Sequence, residues 1–183
     1  MIQECLQWEY CALQFNNDVE PPLYIGARFL MQPRAVAREE SQCKQQIENL
    51  NIGTVINVSD NHAARDNHRR LYDEMHIEFH ELPIADAVED IKEFHRFLNR
   101  CVECYGARRD RSRSVFIHCS LGINRSAAAA AAILWAHHSG GGSETPEQLV
   151  AHMRTQQTEQ RRLKLLHNDL MEMATLEWCK KSK

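Results

Sequence analysis

The sequence predicts an α/β domain in which a small central sheet is flanked by helices on both faces. Short apolar, β-branched runs alternate along the chain with longer segments whose apolar residues recur at helical spacing. No internal repeat and no domain-sized linker interrupts this alternation. A chain of 183 residues can also bury a substantial core, so one domain accounts for most of the sequence.

Three strands are predicted in the first half of the chain. Their residues are apolar and β-branched or alternate between apolar and polar, and they span 23–26, 54–58 and 76–82. A helix is predicted over 34–50, because Pro33 suits a helix entrance. Residues 61–74 are polar and basic without a clean period, so no element is predicted there.

The centre of the chain alternates in the same way. Apolar residues recur at helical spacing from Ile91 to Tyr105 and predict a helix. A charged loop at 108–113 leads to a strand over 114–118, which we expect at the centre of the sheet. The alanine-rich run from 127 to 135 predicts a helix whose small side chains let it lie close to the sheet.

The two ends of the chain carry fewer signals. After a glycine-rich loop at 139–143, Pro146 is suited to open a helix, and 158–178 is predicted to be one terminal helix. Residues 1–21 are predicted to be an N-terminal extension that either supplies a strand or packs over the domain. The domain itself is expected to span 22–179.

Composition limits the classes of partner. The net charge of −3 and the isoelectric point near 6.4 argue against a general nucleic-acid binder and a polybasic membrane protein. No apolar run approaches the roughly 18 residues of a transmembrane helix, and the N-terminus lacks the pattern of a signal peptide. We therefore expect no membrane partner and a cytoplasmic location, with access to the nucleus left open.

The cysteine pattern is typical of a reducing compartment. Seven cysteines are an odd number without framework spacing. Cys101 and Cys104 form a C-x-x-C pair without a second ligand pair nearby in the sequence, so packing on one helix face is the preferred interpretation. A reversible disulfide between Cys119 and another cysteine is left open.

The most informative stretch is 118–126, whose sequence is HCSLGINRS. It follows a predicted strand and precedes a predicted helix, so Cys119 is expected at a helix N-terminus, where unpaired N–H groups favour anions. Such a setting lowers a cysteine pKa from about 8.5 to roughly 3.5–7.5. Gly122 permits a tight turn, and Arg125 can grip two phosphate oxygens. The stretch predicts a phosphate-binding loop with a thiolate nucleophile.

The pattern His118-Cys119-x-x-Gly122-x-x-Arg125-Ser126 resembles the signature of the protein tyrosine phosphatase superfamily. Other segments resemble its dual-specificity branch, in particular the small, single-domain members. These segments correspond to an opening strand, the next helix end and strand, and the segment that carries the general acid: 22–26, 50–59 and 82–86. The match runs from about residue 22 to about residue 170. The resemblance implies that family's α/β fold, a phosphatase activity, and no metal or other cofactor.

The resemblance also implies a role for each residue of the loop. Cys119 is the nucleophile, and Arg125 with backbone N–H groups binds the phosphoryl oxygens. Ser126 donates a hydrogen bond to the departing thiolate, and His118 orients the loop and tunes the thiol. The expected phosphate-binding residues are Ser120, Leu121, Gly122, Ile123, Asn124 and Arg125.

Asp86 is the candidate general acid. It follows Pro83 on a loop between a predicted strand and a predicted helix, where it can cover the pocket. The matching aspartate of the family protonates the leaving group and later activates water. Helix capping is the structural alternative for Asp86, and Asp90 and then Glu89 are the less favoured candidates for the acid.

The resemblance implies hydrolysis of phosphotyrosine and of phosphoserine or phosphothreonine in a phosphorylated protein partner, with a monomer favoured. Asn124 departs from the small residue that many protein-directed relatives carry. An Asn-Arg pair is found in RNA 5′-triphosphatase relatives, so that activity stays open as the enzymatic alternative. A catalytically inactive phosphate-binding module is the alternative from another class, although Cys119, Arg125 and Asp86 are all present.

Overall fold

The computed structural model describes residues 10–13, 21–27, 37–60, 65–138, 145–161 and 165–182. Within these ranges the chain forms five strands and six helices. In chain order they are β1 (Tyr10–Leu13), β2 (Leu23–Ala27), α1 (Ala37–Asn49), β3 (Ile52–Ser59), α2 (Arg65–Glu74), β4 (Glu78–Ile84), α3 (Ile91–Ala107), β5 (Ser114–Cys119), α4 (Arg125–His138), α5 (Pro146–Arg161) and α6 (Asp169–Lys181). None of the helices formed by the described residues is long and apolar enough to cross a membrane.

The strands form one five-stranded sheet in the order β1-β2-β5-β3-β4. β1 is antiparallel to β2, whereas β2, β5, β3 and β4 are parallel neighbours. β5 lies at the centre, and all six of its residues are buried. The segments that follow the parallel strands therefore meet at one edge of the sheet, which is where ligands bind in open α/β sheets.

Helices cover both faces of the sheet, as predicted. Successive side chains of a strand point to opposite faces. Ile117 and Cys119 of β5 accordingly pack in a core with residues of α3, α4, α5 and α6. Phe116 packs in a second core with residues of α1 and α2. The predicted α/β fold with a small central sheet is thus confirmed.

The edge strand β1 lies in the segment predicted to be an N-terminal extension. Tyr10–Leu13 pairs with β2, with Tyr10 opposite Gly26 and Leu13 opposite Leu23. This is the first of the two roles expected for residues 1–21. The domain boundary at residue 22 stays a prediction, and the predicted glycine-rich loop at 139–143 lies outside the described residues.

The sequence does not predict α2, which spans Arg65–Glu74. Among its described side chains only Leu71 and Tyr72 are buried, in the core beneath α1. Two adjacent apolar residues in an otherwise polar segment carry no helical period, so the expectation of no element over 61–74 is wrong for this part of it.

The single terminal helix predicted over 158–178 is also wrong. α5 ends at Arg161, and α6 begins at Asp169. Between them Leu166 has a φ of +49°, which a continuous right-handed helix excludes. Asn168 then caps α6, because its Oδ1 accepts a hydrogen bond from the N–H of Met171 at 3.1 Å.

The alanine-rich helix α4 packs closely, as its sequence predicts. All six alanines from Ala127 to Ala132 are fully buried. α4 contacts β2, β3 and β5 of the sheet and also α3, α5 and α6. The buried alanine positions of α4 therefore suit small side chains.

We expect Ala129→Leu to lower the free energy of unfolding by about 1–3 kcal/mol, because extra methylene groups force neighbouring side chains out of position. Urea denaturation measures this loss. Ala151→Leu is the matched control, since Ala151 is exposed on α5, and we expect its effect to stay within about 0.5 kcal/mol. Equal losses in both variants would contradict the close packing of α4.

Candidate active site

The candidate site lies where β5 ends and α4 begins. β5 ends at Cys119 and α4 begins at Arg125, so residues 120–124 form the whole connection. We call residues 119–125 the signature loop. Because β5 lies between β2 and β3, this loop occupies the carboxyl edge of the parallel strands and the N-terminus of a buried helix. Both settings favour anions.

Gly122 lets the signature loop lie directly against β2. Its φ of +69° falls in the left-handed region. A Cβ atom at this position would lie 2.2 Å from the carbonyl carbon of Gly26 and 2.5 Å from the nitrogen of Ala27. No side chain fits there. The N–H of Gly122 donates a hydrogen bond to Sγ of Cys119 at 3.1 Å.

The thiol of Cys119 is buried and yet stabilised as a thiolate. Burial by itself raises its pKa. Hydrogen bonds from the Ser126 hydroxyl, 3.5 Å from Sγ, and from the backbone N–H groups of Ser126, Gly122 and Ile123 outweigh burial. The pKa of Cys119 therefore lies below its ordinary value. Hydrogen bonds of this kind favour the charged form of a cysteine.

Arg125 is the first residue of α4, and only 4% of its side chain is exposed. Its Nη2 donates to Oγ of Ser120 at 3.1 Å, and that oxygen lies 3.1 Å from Oγ of Ser59. Its Nη1 donates to the carbonyl oxygen of Ile84 at 3.1 Å and to Oδ1 of Asp60 at 2.5 Å. The guanidinium is thus held between the signature loop, the end of β3 and the end of β4.

Asp86 lies beside the same guanidinium. Its Oδ1 is 3.4 Å from Nε of Arg125. Because Nε makes no hydrogen bond within the described residues, this contact is an ion pair without a hydrogen bond. About half of the Asp86 side chain is exposed. It belongs to the connection between β4 and α3, which lines a cavity of about 150 Å³.

The other acidic residues of this connection have different surroundings. Asp90 caps α3, because its Oδ1 accepts a hydrogen bond from the N–H of Lys92 at 2.7 Å. The capping role considered for Asp86 therefore belongs to Asp90. Glu89 is exposed and lines the cavity. Among these three acidic residues, the contacts of the described part of the chain bring Asp86 alone to Arg125.

Ser126 contacts the thiol of Cys119, whereas the ring of His118 lies on the other face of the sheet. Ser126 is fully buried, and its hydroxyl reaches the thiol. The ring of His118 stacks on Phe116 with 5.5 Å between ring centroids, on the sheet face covered by α1 and α2. Cys119 packs on the opposite face. The His118 ring and the Cys119 thiol are therefore on opposite faces of the sheet, and the effect of His118 on the thiol stays a prediction.

The turn between α5 and α6 supports the other side of the signature loop. The N–H of Leu166 donates to the carbonyl oxygen of Ile123 at 3.1 Å. The N–H of Asn168 donates to Oδ1 of Asn124 at 3.4 Å. Asn124, which departs from the family's pattern, thus has a contact within the protein.

Arg154 of α5 fixes that turn. Its guanidinium donates to the carbonyl oxygens of Leu165 at 2.9 Å and Leu166 at 2.8 Å. Two of its nitrogens also donate to the two carboxylate oxygens of Glu172, at 2.9 and 2.6 Å. A bidentate pair of this kind has a defined geometry. Arg154 therefore links α5 and α6 to the turn that contacts the signature loop, a role that sequence reasoning missed.

Neither a cluster of metal ligands nor the Cys101–Cys104 pair forms part of this site in the described part of the chain. Within the ranges that the structure describes, no three His, Cys, Asp or Glu side chains are grouped closely enough to hold a metal ion. Cys101 is buried on α3, and Cys104 is half-buried on the same helix. Both pack against the core that contains α3, as the sequence predicts for this pair.

Most of the chain is similar to a known protein family. Residues 36–174, most of the chain, match the model of the dual specificity phosphatase catalytic domain. No curated protein sequence matches the chain. Solved structures of similar fold include PTPMT1 in complex with PI(5)P, with 17% identity, a TM-score of 0.63 and coverage of 87% of this chain and 91% of that chain.

Two further structures have the same fold. Kinase associated phosphatase (KAP), with its catalytic-site cysteine substituted by serine, is 18% identical with a TM-score of 0.61, and 96% of each chain is covered. Human DUSP28 is 16% identical with a TM-score of 0.55, and 87% of this chain and 88% of that chain are covered. Together with the family model, these similarities confirm the resemblance seen in the signature loop, and the chain belongs to the dual specificity phosphatase family of the protein tyrosine phosphatase superfamily.

Proposed function

We propose that this protein hydrolyses phosphotyrosine and phosphoserine or phosphothreonine in proteins through a phosphocysteine intermediate on Cys119. One observation carries the proposal. A thiol of lowered pKa lies at the amino end of α4, and the guanidinium that begins this helix is in contact with the carboxylate of Asp86. The nucleophile, the phosphate-binding cation and the acid are thereby combined at one edge of the sheet.

In the first step the Cys119 thiolate attacks phosphorus. The S–P bond forms while the bond from phosphorus to the leaving oxygen breaks, and Asp86 supplies the proton that this oxygen needs. The N–H groups of the loop and the Nε and Nη2 groups of Arg125 stabilise the negative charge on the phosphoryl oxygens. Asp86 must leave the Nε of Arg125 for this, and a 3.4 Å contact without a hydrogen bond is readily given up.

In the second step water attacks the phosphocysteine. Asp86, now a carboxylate, takes a proton from the water as the new P–O bond forms and the S–P bond breaks. The electron pair returns to sulfur, where the Ser126 hydroxyl donates to it across 3.5 Å. The same hydrogen bonds that lower the pKa of Cys119 therefore make it a better leaving group.

The choice of a protein substrate is supported by the residues around the loop. Ser120, Leu121, Ile123 and Asn124 carry no charge that would grip a second phosphate group. One alternative substrate is a phosphoinositide, because PTPMT1 has been crystallised with PI(5)P. The other is a 5′-triphosphorylated RNA, which the resemblance at Asn124 leaves open. Because Asn124 accepts a hydrogen bond from Asn168, its presence is explained without RNA. We propose a reducing, cytoplasmic location, since the thiolate must stay reduced.

Cys119→Ser should abolish hydrolysis of para-nitrophenyl phosphate between mildly acidic and neutral pH, because a serine hydroxyl is not ionised there. A loss of more than about 1,000-fold in kcat is expected. Cys104→Ser on α3 is the matched control and should keep wild-type activity, since Cys104 is half-buried away from the loop.

Activity retained in folded Cys119→Ser would refute the phosphocysteine mechanism. An inactive but folded and reduced wild-type protein would favour the phosphate-binding module. Phosphopeptides, PI(5)P and 5′-triphosphorylated RNA, compared at equal concentration, then separate the three substrate classes. Higher kcat/KM for either of the last two would overturn the assignment to proteins.

Asp86→Asn should slow the hydrolysis of esters according to their leaving group. Phenyl phosphate, whose leaving group needs a proton, should lose about 100-fold to 10,000-fold in kcat/KM, and para-nitrophenyl phosphate much less. Asp90→Asn is the control, because asparagine caps a helix as well as aspartate does. Equal slowing of both esters by Asp86→Asn would show that Asp86 is not the acid.

Ser126→Ala should reduce the alkylation of Cys119 by iodoacetamide most strongly at low pH. The Ser126 hydrogen bond favours the thiolate, so its removal raises the pKa of Cys119 and leaves less thiolate below the new pKa. At pH 6 we expect a roughly tenfold lower rate, with the two proteins converging as pH rises. Cys179 is the internal reference, since burial raises its pKa to about 12. A pH profile unchanged by the substitution would exclude this role for Ser126.

A further inference from the structure

We propose that Asp60 is a positioning residue for Arg125. It accepts a hydrogen bond from Nη1 of the guanidinium, so that the Nε–Nη2 edge faces the phosphoryl group. This inference rests on the proposed function of Arg125 in binding phosphate. Asp60 is not part of the signature loop and lies 65 positions before Arg125 in the sequence.

The topology brings Asp60 to the loop. Asp60 directly follows β3, which is the parallel neighbour of β5. Asn57 of β3 lies opposite His118 of β5, so the ends of the two strands are level with each other. The hydroxyl groups of Ser59 and Ser120 lie 3.1 Å apart at this point. Asp60 is therefore held beside the first residues of the signature loop.

The donors of Arg125 are divided between the fold and the open site. A guanidinium has five N–H groups, one on Nε and two on each Nη nitrogen. Both hydrogens of Nη1 have acceptors, since this nitrogen donates to Asp60 and to the carbonyl oxygen of Ile84. Nη2 donates to Ser120, and Nε makes no hydrogen bond within the described residues. The donors left for a ligand are thus on Nε and Nη2, which form one edge of the planar group.

The two carboxylates beside Arg125 have unequal contacts. Asp60 makes a direct hydrogen bond of 2.5 Å, whereas Asp86 is 3.4 Å from Nε. An incoming phosphoryl group needs the edge that Asp86 faces, not the side that Asp60 occupies. Asp60 can therefore stay in place through the reaction while Asp86 moves to the leaving group. This division of contacts explains why one buried cation lies between two acidic side chains.

In the rival explanation, Asp60 weakens the binding of phosphate to Arg125. A carboxylate beside the phosphate-binding cation also repels a phosphate dianion. If repulsion dominates, removing Asp60 tightens phosphate binding; if positioning dominates, removing Asp60 weakens it. The two explanations predict changes of opposite sign.

The experiment measures how inorganic phosphate protects Cys119 from alkylation in the full chain, which requires no turnover. The phosphate concentration that gives half-protection should rise roughly tenfold in Asp60→Ala, because a hydrogen bond to a charged group is lost. It should rise less in Asp60→Asn, whose amide oxygen can still accept from Nη1. kcat/KM for para-nitrophenyl phosphate should fall in parallel in both variants.

Glu93→Gln is the matched control for charge. Glu93 is exposed and lines the same cavity as Asp60, and its removal should leave half-protection unchanged. An unchanged or lower value in folded Asp60→Ala, or an equal rise in Glu93→Gln, would overturn the proposal. If Asp60→Ala does not fold, Asp60→Asn is the test. A half-protection concentration of Asp60→Asn at or below that of the wild type would overturn the proposal.

The result also separates this inference from the proposed function. Cys119-dependent hydrolysis with unchanged half-protection in Asp60→Ala leaves the function standing and refutes the positioning role. A raised half-protection concentration in a protein without turnover supports the positioning role and refutes the enzymatic function.

Discussion

The short connection between β5 and α4 is the constraint on which the rest of the site depends. With 120–124 as the only residues between the thiol and the guanidinium, the loop must turn tightly enough for its N–H groups to face inward. Gly122 makes this turn against the backbone of Gly26 and Ala27, where any Cβ atom would collide. The lowered pKa of Cys119 and the direction of Arg125 both follow from this turn.

The buried cysteines differ in the hydrogen-bond donors that surround their sulfur atoms. Burial raises the pKa of Cys101 and of Cys179, because it penalises the charged thiolate and the favourable contacts of these two thiols do not offset it. Cys119 is buried as well, yet four hydrogen bonds around its sulfur reverse the direction. The direction in which each cysteine pKa is shifted therefore depends on the hydrogen bonds at its sulfur as well as on burial.

The sequence predicts those parts of the site that are close together along the chain. The thiol, the glycine, the arginine and the serine lie within one strand–loop–helix, and their spacing is enough to identify them. Asp60 and Arg154 could not be found in this way, because their contacts join residues far apart in sequence. No local period or motif marks either residue, and only the sheet order and the α5–α6 turn bring them to the loop.

The same distinction explains the successes and failures in the fold. β5 and the alanine-rich α4 are predicted because nearly every residue is buried, so their composition reflects their environment directly. α2 is missed because, among its described side chains, only Leu71 and Tyr72 pack in the core. The break before α6 was marked by Asn168, whose side chain caps the helix. A cap inside an otherwise helical run is outweighed by the helix-forming residues on both sides of it.

The burial of α4 affects the electrostatic field that this helix produces at the signature loop. Every residue from Arg125 to Trp135 is buried, so the first three turns of the helix are surrounded by protein atoms of low polarisability. Water around an exposed helix screens the partial charges at its ends. Here that dielectric screening is largely removed along the helix. Water therefore screens the partial positive charge at its amino end less than it would screen that of an exposed helix, and an anion held in the loop experiences more of this charge.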